Sequence, residues 1–242
     1  MGKLLKVVPY TIGSFKQILL ECSQARPAIL DRKLHTKYFG EYFAHLGTRT
    51  IVVEGDYIDR DFLEDYAAYY VRCFHRYGHR CSRLHFFNQR FTDGQVRRII
   101  SKGIRSRILP RFQEAYLGFI VVKDLPQTIV GKTCLRTYDL DGGRRHFPIT
   151  RPYLANLFGI PLEVKTLAFQ EQDTVAAACA TSALWSVFQG TGILFQHHIP
   201  SPVEITNTAT EHWVSDTRVF PNHGLSPEQM AYAIKAVGLE PL

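Results

Sequence analysis

The chain has 242 residues, 45% of them hydrophobic and 21% charged, which allows one large domain or two small ones with a real core and excludes extended disorder. The formal net charge is +7. No apolar run reaches the roughly 18 residues that span a bilayer, and the start "MGKLLKVVPYTIG" is too short and polar for a secretory signal, so no membrane partner is expected. Five cysteines without regular spacing exclude a disulfide framework, and a cytoplasmic location is the expectation.

In chain order, "LLKVVPY" reads as a strand, "FKQILLECSQ" as a helix ending near Pro27, and "TRTIVVEGD" as a buried strand closed by Gly55-Asp56. Asp59 or Asp61 then caps a helix running to about Phe74, with Phe62, Tyr66, Tyr69, Tyr70 and Cys73 on its apolar face. "SRLHFFN" is strand-like, and "DGQVRRIISKG" is a short basic helix stopped by Gly103. "AYLGFIVVKDLP" and "TIVGKTCLRTY" are two further β-rich runs, and "DLDGGRRHFPI" predicts an Asp-Gly-Gly turn and another strand. "ANLFGIPLEVKTLAF" continues as strand-like sequence. A less regular stretch follows Gly192, and the last helix starts at Ser226, with Pro227 at its first turn and Gln229 completing a capping box. Met230, Ala233, Ile234 and Val237 supply its buried face, and Gly238 stops it. The fold class is therefore α/β or α+β, with an antiparallel-rich region over 1–155 and a second segment over 156–242.

The stretch from Phe169 to Gly190, "FQEQDTVAAACATSALWSVFQG", carries the densest chemical signal. Cys179 opens a helix whose apolar positions are Ala183, Leu184, Val187 and Phe188, with Gly190 as a stop. A helix front favours the thiolate, the nucleophilic form of cysteine. A side-chain amide just upstream can hold the oxyanion that forms when a thiolate attacks a carbonyl. Gln172 stands where that donor is needed, and Gln170 is the near alternative.

"QEQDTVAAACATSALWSVF", followed later by "GLSPEQMAYAIKAVGLEPL", resembles the first half of a papain-like cysteine peptidase, close to the bacteriocin-leader peptidases of peptide exporters. The resemblance covers about residues 165–242, with Ala180 where that family has glycine. It implies Cys179 as nucleophile, Gln172 as oxyanion donor, and a peptide or protein as substrate. It also implies a catalytic histidine on strands after the Ser226 helix, beyond Leu242. Either His197, His198, His212 or His223 takes that role, or the chain is catalytically incomplete alone. In the latter case a second chain or self-association completes it.

Two other clusters carry charge or potential ligands. From Arg72 to Arg111 the chain places eleven Lys or Arg against the single Asp93. This is either a solvated basic face or a contact for nucleic acid or acidic partners. Cys73, His75, His79, Cys81 and His85 are zinc-type ligands at spacings that fit no common finger, beside arginines that oppose a cation, so no metal is expected. The acidic pairs Asp59, Asp61 and Glu64, Asp65 read as helix-cap charge. "DGGRR" is neither a Walker loop nor a dinucleotide fingerprint, and no cofactor is expected. The leading expectation is a cysteine-dependent acyl transfer, most directly peptide hydrolysis. The alternatives are a non-catalytic interaction protein and nucleic-acid binding through residues 72–111.

Overall fold

The computed structural model describes residues 4–33, 35–139, 146–172, 179–211 and 224–241. The expected Asp-Gly-Gly turn at 141–143 lies outside them, as do His212 and His223.

Near-continuous apolar sequence sets the centre of the molecule. Strands β2 (Thr50–Tyr57), β3 (Cys81–Phe87) and β4 (Tyr116–Lys123) are largely buried on both faces, and the polar Glu54, Arg83 and His85 are buried with them. With β1 (Leu5–Pro9) and β5 (Val130–Leu135) they form a sheet in the order β1-β2-β3-β4-β5, every neighbour antiparallel.

Successive strand residues point to opposite faces and so feed two cores. Ile51, Val53, Leu84, Phe86, Ile120 and Val122 share one core with α1 (Ile12–Glu21), α2 (Pro27–Arg32) and α3 (His35–His45). There Phe43 stacks on Phe86 with ring centroids 4.2 Å apart. Val52, Cys81, Phe87, Phe119 and Val121 face the other core. It holds α4 (Arg60–Ala68), α5 (Asp93–Lys102), α6 (Leu109–Glu114) and the hairpin of β6 (Arg151–Leu157) with β7 (Ile160–Thr166). Helices α7 (Cys179–Leu194), α8 (Pro202–Thr210) and α9 (Pro227–Ala236) complete it. The class is mixed α+β with antiparallel sheets. This second core runs from Leu5 to Ala233, and β6 spans positions 155 and 156.

Several elements differ from the sequence reading. The stretch read as one strand-like run after residue 155 begins inside a hairpin, with Phe158 and Gly159 in the turn at φ 48° and 89°. Two positive φ values match the twist that a two-residue hairpin needs, and Asn156 Oδ1 accepts from the Gly159 N–H at 2.6 Å. Residues 146–150 form no strand. Helix α4 ends at Ala68 and passes into a 3₁₀ turn at Tyr70–Arg72, leaving Cys73 and Phe74 exposed. Asp59 does cap it, its Oδ1 accepting from the Phe62 N–H at 3.1 Å. Asp61 stands in the first turn, where cap charge is expected, and both it and Asp65 are buried. Asp61 lies 2.8 Å from Lys132 Nζ, which sits 5.7 Å from the Trp185 ring centre.

Helix α7 continues past Gly190 to Leu194. Its buried face is Thr181, Ser182, Trp185, Phe188 and Gln189, while Val187 is 43% exposed. Gly190 packs where a Cβ would fall 1.8 Å from Ile149 Cγ2, so its role is close approach and not termination. The stretch after Gly192 contains α8, capped by Ser201 with Pro202 and Glu204 in the same signature that marks α9.

Candidate functional site

Phe169 pairs with Thr133 through two backbone hydrogen bonds of 3.0 and 2.8 Å, and the Glu171 N–H donates to the Val130 carbonyl at 3.0 Å. Residues 169–171 thus lie along the outer edge of β5, satisfying backbone groups that an edge strand would otherwise expose. This addition delivers Gln172 to a fixed place at the end of the edge.

Helix α7 is registered against the same segment at two points. Ser186 Oγ donates to the Ala168 carbonyl at 2.6 Å, and Cys179 Sγ donates to Gln172 Oε1 at 2.9 Å. Seven helical residues advance about 10 Å and four extended ones about 13 Å. Helix and segment therefore run side by side in opposite directions. Cys179 is the first residue of α7 and is exposed. Gln172 and Cys179, paired in the sequence reading, are brought together. Gln170 is not the partner: it is half-buried, and its amide nitrogen makes no hydrogen bond among the described residues.

A cavity of about 470 Å³ opens beside Gln172, lined by His35, Tyr38, Phe39, Val130, Phe169 and Glu171 among others. Most of its wall is apolar and aromatic. The polar corner is Glu171, whose carboxylate accepts from Lys33 Nζ, from His35 Nε2 at 3.2 Å and from the Val130 N–H at 3.0 Å. Burial opposes ionisation of Glu171, but the bonds from His35 and Lys33 outweigh it and hold the carboxyl below its ordinary value. Lys33, His35 and Glu171 were not singled out in the sequence. The "HTKYFGEYFAH" run, with Phe39, Tyr42 and Phe43 at helical spacing, does announce α3. Nothing local places His35 next to residue 171.

Of the four histidines proposed from the sequence, His197 and His198 lie among the described residues. His197 Nε2 is 2.8 Å from Thr191 Oγ1, and its other ring nitrogen donates to the His198 carbonyl. Thr191 is twelve residues along α7 from Cys179, about 18 Å at the helical rise. His198 is 3.3 Å from Glu204 Oε2 at the start of α8. His197 is therefore too far from the sulfur to serve it, while His198 sits at the start of α8, whose Thr206 Oγ1 lies 3.4 Å from Thr181 Oγ1 near the front of α7.

The Cys/His run is also dispersed. Cys73 is exposed, His75 reaches Gln24 at 3.4 Å, and His79 packs on Tyr66. Cys81 and His85 are buried on β3. Among the described residues no group of three or more His, Cys, Asp or Glu could hold a metal ion. His85 belongs to a closed network. Glu54 Oε2 accepts from Arg83 Nε at 2.8 Å and lies 3.2 Å from His85 Nε2. An ionised carboxylate only accepts, so Nε2 carries the proton and Nδ1 accepts from the Tyr116 hydroxyl at 3.1 Å. Burial foremost, and the Arg83 charge, push His85 down to about 4 against the opposing pull of Glu54.

No known protein family, curated protein or solved structure matches the chain. Among the described residues no helix is long and apolar enough to cross a membrane.

Proposed function

We propose that this protein carries out a cysteine-dependent acyl transfer, most directly the hydrolysis of a peptide bond, with Cys179 as nucleophile and Gln172 as oxyanion donor. The observation that carries the reading is the 2.9 Å contact between an exposed Cys179 at a helix front and Gln172. The resemblance of residues 165–242 to a papain-like cysteine peptidase supports the same roles.

In the resting thiol the S–H donates to the Gln172 amide oxygen. After ionisation sulfur has no proton to give, and a half-turn of the amide presents its N–H groups to the same region. Attack forms a C–S bond and sends the carbonyl electron pair to oxygen, where those N–H groups donate. Collapse expels the amine, which takes up the proton that the thiol lost, and water then cleaves the thioester. The proton needs a carrier. The candidates are His35 in the adjoining cavity, His198, His212, His223, or a histidine on a second polypeptide.

A peptide-substrate panel, run with the chain and with single variants, tests this. Cys179→Ala should abolish turnover, and Gln172→Ala should lower it about 10²–10³-fold, the usual effect of one oxyanion donor. Loss of the true base among His35, His198, His212 and His223 should cost about 10²–10⁴-fold. Turnover that appears only with a second polypeptide assigns the base outside this chain. Turnover indifferent to Cys179→Ala, or a Cys179 alkylated only on denaturation, overturns the reading.

A further inference from the structure

The crossover from β3 to β4, residues 88–115, contains seven Lys or Arg against Asp93 and Glu114, a net +5 within a chain whose total is +7. Most of the protein's excess charge therefore sits on one connection. The basic block seen in the sequence is narrower in space than in number. Arg83 is buried on Glu54, and Arg80 pairs with Asp56 at 3.1 Å. Within the crossover Arg97 is neutralised by Asp93 at 2.6 Å. Arg90, Arg98, Lys102, Arg105, Arg107 and Arg111 are exposed and make no ion pair among the described residues.

Arg98 and Lys102 stand one turn apart on the outer face of α5, and Arg105 follows directly in the 3₁₀ turn Gly103–Arg105. Like charges at that spacing weaken a helix, and of the three only Lys102, in the last turn of α5, gains from the negative end of the helix dipole. Arg111 is fixed in place by a hydrogen bond to Gln89 Oε1 and by the Phe91 ring 5.9 Å away. Five of these six cations are arginines, whose planar forks match phosphate oxygens.

We propose that the outer face of this crossover binds the phosphate backbone of a nucleic acid. Complementary charge selects a polyanion, and the packing selects nucleic acid over an anionic membrane. A helix that lies in a bilayer surface needs its apolar face free to insert. The apolar face of α5, Val96 and Ile99, is fully buried in the core, and only Ile104 projects, at 86% exposure. Backbone contacts need no insertion and no base readout.

Fluorescence anisotropy of the full chain with a labelled DNA duplex and a labelled single strand tests the proposal. With four phosphate contacts, affinity should fall about 10²-fold between about 50 and 200 mM salt. The combined Arg98→Glu, Lys102→Glu, Arg105→Glu variant should bind at least about tenfold more weakly, since each lost contact also flattens the salt slope by about 0.9. If that variant fails to fold by circular dichroism, the Gln set at the same three positions should flatten the slope instead. Arg72→Glu with Arg76→Glu, on the β2–β3 connection, should change little. No binding at low salt, equal loss in that control pair, or tighter binding to phosphatidylserine vesicles than to either oligonucleotide overturns the proposal.

Discussion

At the scale of single residues, Glu171 does the most to define the candidate site without touching Cys179. Its carboxylate gathers Lys33, His35 and the Val130 N–H and so fastens the segment that ends in Gln172. Glu171→Ala would leave the Val130 N–H without its side-chain acceptor and the Lys33 ammonium with only the Gln127 carbonyl, at a cost of about 1–3 kcal/mol. Glu171→Gln keeps an oxygen for Val130 and should lose less. Urea unfolding of both variants checks the ranking, and an alanine variant as stable as the parent would show that the clamp holds nothing. Cys179 and Gln172 were legible because they lie seven positions apart on one local motif. Lys33, 138 positions from Glu171, was not, because no periodicity or cap links two surfaces that only the sheet edge brings together.

At the scale of elements, α7 shows how packing overrides pattern. Apolar spacing pointed to Ala183 and Val187 as core positions, yet both are exposed, and the buried face carries Thr181, Ser182, Gln189 and two glycines. Small residues on that face let the helix approach Ile149 and Ile199, which a Cβ at Gly190 or Gly192 would overlap. Gly190→Ala would gain about 1 kcal/mol of helix propensity at an open site. Here the Cβ would meet Ile149 Cγ2 at 1.8 Å, and overpacking of that kind costs about 1–3 kcal/mol. The net expectation is a destabilised protein, and Ile149→Ala in the same chain should recover part of the loss. A double-mutant cycle by thermal denaturation measures the coupling. Additive effects would mean that the two residues do not compete for that space. Helices α5 and α9 followed the sequence reading closely because their caps, Thr92 with Gln95 and Ser226 with Gln229, are local hydrogen-bond motifs.

At the scale of the whole molecule, the central sheet carries a titratable group that should set acid stability. His85 has an unfolded value near 6.5 and is pushed down to about 4 in the fold, first by burial. A lowered value means that the unfolded chain takes the proton first. Stability is therefore complete above about pH 6.5 and falls as pH drops toward about 4, by up to about 3 kcal/mol for this group. Glu54 is also held below its ordinary value: burial works against it, while His85 and Arg83 prevail, so its protonation adds to the loss at lower pH. Urea titrations at pH 7, 5.5 and 4 should show the decline, and His85→Gln should flatten it between 6.5 and 4. An unchanged slope in that variant would place the acid sensitivity elsewhere.

What the sequence determined by itself was what short-range chemistry controls. The apolar runs became strands of the central sheet, the capped segments became helices, and the Gln172–Cys179 pair formed at the start of α7. These depend on residues within one turn, one strand or one loop of each other. Only the tertiary structure decided which histidine shares a cavity with Gln172, which arginines remain exposed after Arg83 is buried, and which face of α7 enters the core. Those outcomes come from the two-sided burial of one sheet, and they follow from sums of contacts between residues far apart in the chain, for which no local spacing carries a signal.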